Sequence, residues 1–145
     1  MIGETPAPCS TMIREHLVRS LLEHFPDRNF TILDQDKPFA TLEAPCKEIG
    51  RLELYDDGYE ITLYITEITH GHFGCYDDDN PTTEEKELRI SNAVVDFIKD
   101  LFHDRVVMYS FVGAHIGGWS VLEEGKIHPS ASKLKRQFVW SHEIK

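Results

Sequence analysis

The sequence predicts an α+β domain, a mainly antiparallel sheet of five or six strands with two helices packed on one face. Three observations lead there. Residues 10–25 and 82–102 carry apolar side chains at helical spacing, residues 51–65 alternate on either side of Asp57-Gly58, and residues 106–112 form a continuous run rich in β-branched and aromatic residues. The expected order is helix, four strands, helix, then two or three strands. With 145 residues, 41% hydrophobic and 28% charged, the chain suits one globular domain over residues 10–145, with residues 1–9 as a flexible lead-in.

Each element has its own local reason. Ser10 or Thr11 can cap a helix in which Ile13, Leu17, Leu21 and Phe25 recur every four residues, Val18 and Leu22 widen the stripe, and Pro26 stops it. Phe30 to Leu33 and Phe39 to Ala44 read as two strands joined by a loop that ends at Pro38. In the next hairpin, Asp57-Gly58 is a two-residue type I′ signal, which sets Leu54 opposite Ile61 and Leu52 opposite Leu63. Beyond Thr66 polar residues reach both faces, so the arm is expected to leave the core. Thr82 and Glu85 stand in capping-box spacing ahead of Leu88, Ile90, Val94, Val95, Phe97, Ile98 and Leu101, an apolar share broad enough for a central helix. After the run at 106–112, Gly117-Gly118 leads into a returning strand with Trp119, for which ordinary packing is the preferred role. Phe138, Val139 and Trp140 read as a short edge strand or as docked aromatics.

Bulk charge narrows the function. Fifteen Lys and Arg against 25 Asp and Glu give a formal charge of −10, a field that repels phosphate backbones, so nucleic acid is not an expected partner. The charge is uneven: residues 27–87 hold 16 acids and five bases, whereas residues 125–145 hold five bases and Glu143 as the one acid. No apolar run approaches the roughly 20 residues of a membrane span. Three widely spaced cysteines and an N-terminus without a basic start or apolar stretch make the cytoplasm the expected compartment.

Several segments invite chemistry. His70-x-His72-x-x-Cys75, with Asp77 just beyond, collects four possible zinc ligands within eight residues, and the two histidines share a strand face. Structural zinc sites usually draw ligands from two segments, though, and no matching pair stands elsewhere. Asp77-Asp78-Asp79-Asn80 resembles the start of a calcium loop, but Pro81 and Thr82 stand where a further ligand and a glycine are needed. The plainer account is acids favouring the positive end of the helix that follows. Gly113 to Gly118 lacks the lysine of a phosphate loop, with Trp119 in its place. Asp77 to Asp79 would also oppose a thiolate at Cys75. No catalytic constellation emerges, and no cofactor is expected.

The leading expectation is therefore a small non-enzymatic protein of bacterial type that masks a basic protein partner. In size and charge it is similar to immunity proteins and acidic secretion chaperones. Glu53, Asp56, Asp57, Glu60, Asp77, Asp78 and Asp79 would supply the field, with Tyr55 and Tyr59 giving contact area. The alternatives are a metal-binding protein or metal-dependent enzyme built on His70, His72 and Cys75, and a self-associating domain, such as a homodimer, in which the basic C-terminal stretch covers the acidic region of another copy.

Overall fold

The computed structural model describes residues 9–34, 37–111, 117–123 and 135–145, with residues 9–12 described by backbone alone. Residues 1–8 of the expected lead-in, the glycine-rich segment at 113–116 and the basic residues at 125–134 lie outside them, whereas Cys9, expected in the lead-in, opens the first helix ahead of the expected caps Ser10 and Thr11.

Helix α1 (Cys9–His24) turns Ile13, Leu17 and Leu21 inward, each at most 2% exposed. Leu22 does not widen that stripe, because half of it faces solvent. Five strands follow as an antiparallel meander in chain order: β1 (Thr31–Ile32), β2 (Ala40–Glu43), β3 (Arg51–Asp56), β4 (Glu60–Ile65) and β5 (Thr69–Gly74). Helix α2 (Thr83–Phe102) starts on the expected capping box, with the Glu85 N–H donating to the Thr82 hydroxyl and the Thr82 N–H donating to the Glu85 carboxylate. Strands β6 (Val106–Phe111), β7 (Gly117–Val121), β8 (Lys135–Phe138) and β9 (Glu143–Ile144) complete the chain.

The α+β class and the five-stranded antiparallel sheet are present as predicted. The last four strands do not extend that sheet. They form a second one in the order β7-β6-β8-β9, where β8 pairs with β6 and takes an inner position. Helix α2 packs against α1, against β4 and β5 of the first sheet and against β6 of the second. That placement accounts for its broad apolar share: Ile90, Val94, Val95, Phe97, Ile98 and Leu101 are all buried, while Leu88 stays exposed. Phe138, Val139 and Trp140 are buried too.

Two local expectations change. The chain beyond Thr66 does not leave the core; it turns at Thr66 to Ile68 and returns as β5, pairing with β4 from Ile65↔Thr69 to Glu60↔Gly74. The polar residues that suggested departure are the outer-face half of an ordinary alternation, with Gly71 and Phe73 on the inner face. The β3–β4 hairpin is also slipped by two residues from the expected register, pairing Leu54 with Leu63 and Leu52 with Ile65. Its turn centres on Gly58-Tyr59, where positive φ occurs at Gly58 (+88°) and not at Tyr59, as in a type II′ turn. A slip of two preserves the faces, so Leu52, Leu54, Ile61, Leu63 and Ile65 are still buried together.

Candidate functional site

The outer face of the five-stranded sheet is polar because alternation places one set of side chains away from the helices. Pairing aligns Thr41, Glu53, Tyr64 and His70 in one row, then Tyr55, Thr62 and His72 in the next. Glu53 is 8% exposed and held by Arg51, whose Nε lies 2.7 Å from its carboxylate, while the Tyr55 hydroxyl donates to the same group at 3.1 Å. Burial, and then that carboxylate, push the Tyr55 phenol above its ordinary value. Asp56 points to the inner face, where its side chain is 1% exposed, accepts the Gly58 N–H at 3.0 Å and lies 3.9 Å from Arg14. Glu53 and Asp56 thus hold the hairpin in shape instead of facing solvent.

The remaining predicted residues gather at one end of the sheet. Tyr59 at the turn is 90% exposed, and Tyr76, in the loop after β5, is 79% exposed. The Tyr76 hydroxyl donates to Glu60 at 2.7 Å, tying that loop to the hairpin and bringing Asp57, Glu60 and Asp77 to Asp79 to one end of the molecule. Asp77 and Asp79 do not simply sit before a helix. Arg89, in the second turn of α2, reaches Asp77 at 2.7 Å and Asp79 at 2.9 Å, and its guanidinium holds the Asp79 carboxyl below the ordinary range.

His70 and His72 share a face and are exposed, as the strand reading requires. Cys75 does not join them, because its thiol donates to Asp77 at 3.6 Å. His70 stacks on Tyr64, with ring centroids 5.2 Å apart. His72 instead meets Glu60, Nδ1 to Oε1 at 3.1 Å, and lies with Asp57 and Glu60 in a group whose ligand atoms fall within 4.8 Å of one another. The β4–β5 register creates this group, so reading β5 as a departing arm hid it.

The sequence also missed Glu87. It lies in α2, 5% exposed, and its Oε2 atom has no hydrogen-bond partner. Burial pushes its carboxyl above the ordinary value, and the neighbouring His16 and a hydrogen bond from the Ile13 backbone N–H offset only part of that rise. Glu87 lines a cleft of about 420 Å³ formed by Ile13 of α1, the Gly58-Tyr59 turn, Cys75, Tyr76 and the first turns of α2. A wider hollow of about 670 Å³ lies over β1 to β3, but no buried polar atom lacking a partner lines it among the described residues. Lone acids within an acidic helix carry no sequence signal, so nothing in the pattern could have set Glu87 apart.

Compared with family models, curated proteins and solved structures, the chain matches none. Among the described residues no helix is long and apolar enough to cross a membrane.

Proposed function

We propose that the chain is a small acidic non-enzymatic binding domain that masks a basic protein partner, as an immunity protein or secretion chaperone does, and that it docks through the hairpin end of the first sheet. The observation that carries this reading is the cleft at Glu87. A carboxylate that is desolvated and lacks a full set of partners is costly unless a cation or donor completes it. A lysine or arginine side chain from the partner has the form that fits, its aliphatic stem against Ile13 and Ile90 and its charged head toward Glu87. Tyr59 and Tyr76 flank the entrance as large, exposed and amphipathic groups, the residue type enriched where interfaces concentrate binding energy. Asp57, Glu60 and Asp78 add negative potential around them.

The test is affinity capture from lysate of the source cells with the immobilised full chain, beside the Tyr59→Ala and Glu87→Gln variants. The wild type is expected to retain a protein of basic net charge at low ionic strength and to release it as salt rises. Each variant is expected to retain at least about tenfold less, the size of an ordinary hot-spot loss. Recovery of no protein at low salt, or equal recovery by both variants, overturns the reading.

A further inference from the structure

We propose that Asp57, Glu60 and His72 form a binding site for one divalent transition-metal ion, with zinc the best-suited occupant. The inference does not rest on the protein-binding reading. It differs from the His70, His72 and Cys75 set, of which His72 alone remains.

Two carboxylates that converge carry repulsion, which Arg89 relieves between Asp77 and Asp79, and other acids of the molecule have an arginine each. Arg51 pairs with Glu53, Arg89 with Asp77 and Asp79, Arg105 with Asp100 and Arg136 with Glu143. Around Asp57 and Glu60, among the described residues, no lysine or arginine lies within ion-pair distance, and the group that faces them is the imidazole of His72. Two oxygen donors and one nitrogen donor in reach of a common point are a three-ligand set, with a fourth position open to water.

The supporting hydrogen bonds prepare the donors. The Tyr76 hydroxyl occupies Oε2 of Glu60 and leaves Oε1, the oxygen nearest His72, turned toward the site. Thr62, 2% exposed beneath the group, donates its hydroxyl hydrogen to Asp57. That hydroxyl also lies 3.1 Å from Nδ1 of His72. Having donated its one hydrogen, it can act toward the ring as an acceptor alone, and the Glu60 oxygen accepts as well. Nδ1 is therefore a ring nitrogen that carries a proton in the metal-free protein. A metal at Nδ1 takes the lone pair there. The Nδ1 proton is released from that nitrogen, and in the metal-bound ring the N–H is at Nε2.

Isothermal titration of zinc chloride into the metal-free full chain, with ring-nitrogen NMR of the histidines, tests this. One equivalent is expected to bind, and His72 is expected to lose the Nδ1 proton and show its N–H at Nε2. His72→Ala and Asp57→Asn are each expected to weaken binding by at least about tenfold, as loss of a ligand does. Both positions are exposed, and circular dichroism checks that each variant is folded. His70→Ala and Cys75→Ser are expected to bind as the wild type does. The proposal is overturned by an absence of zinc binding at micromolar protein, by unchanged binding in both His72→Ala and Asp57→Asn, or by its loss in Cys75→Ser.

Discussion

At Glu87 the requirements of folding and of binding pull in opposite directions. The carboxyl is 5% exposed, and burial raises its pKa above the value it has in the unfolded chain. For an acid this sign means that protonation favours the folded state. Below the unfolded glutamate value, near 4.3, both states are protonated and no penalty exists. As pH rises through the folded value the penalty develops, and above it the penalty is complete. Glu87→Gln removes the charge and keeps the shape. It should match the wild type near pH 4 and exceed it by about 1 kcal/mol at pH 7.5, the scale of a buried polar group that lacks a partner. Urea denaturation at the two pH values measures the difference. A variant less stable than wild type at pH 7.5 would show that the carboxylate is satisfied by a group inside the fold, and the cleft would lose its claim on a cationic ligand.

Among the elements, β7 is the one whose position depends most on missing atoms. A Cβ at Gly117 would overlap the carbonyl oxygen of Ile68, in the turn between β4 and β5, and would crowd that of Tyr109. Trp119, two residues on, donates its indole N–H to the His70 carbonyl at 3.1 Å and meets Phe97 edge-on. Strand β7 therefore fastens the second sheet to the edge of the first, and backbone atoms leave no room to yield. Gly117→Ala is expected to cost about 3 kcal/mol, the upper part of the usual range for overpacking, with altered Trp119 fluorescence. Gly118→Ala meets the movable Tyr109 side chain and should cost less. Equal stability of Gly117→Ala and wild type would remove this contact from the fold. Legibility at this scale follows the range of the interaction. The Thr82 and Glu85 cap was readable because its partners are three residues apart. The hairpin slip was not, because a shift of two leaves every apolar residue on the same face, and the turn is placed by the Asp56 carboxylate taking the Gly58 N–H. The second sheet depends on β6 pairing with β8 across more than 20 residues of chain, which no local pattern records. The Asp57, Glu60 and His72 group inherits that limit, since pairing between β4 and β5 creates it.

For the molecule as a whole, internal pairing leaves the total charge unchanged but decides where the field originates. Arginines stand against Glu53, Asp56, Asp77, Asp79, Asp100 and Glu143, so these acids act outward chiefly as near-neutral pairs. Among the described residues, Asp57, Glu60 and Asp78 at the hairpin end have no arginine within ion-pair distance, and they lie beside the exposed rings of Tyr59 and Tyr76. Charge and aromatic contact should then act on different steps of association. The field reaches about 10 Å at 0.1 M salt and steers the encounter, whereas the tyrosines and the Glu87 cleft act after contact. With the basic partner in hand, stopped-flow measurements should show the association rate constant falling by about tenfold to a hundredfold between low and high salt, with a much smaller change in dissociation. Tyr59→Ala should do the reverse, leaving association nearly unchanged and speeding dissociation. If salt instead alters dissociation and spares association, the acids at the hairpin end are working as short-range contacts, and the steering role assigned to them is wrong.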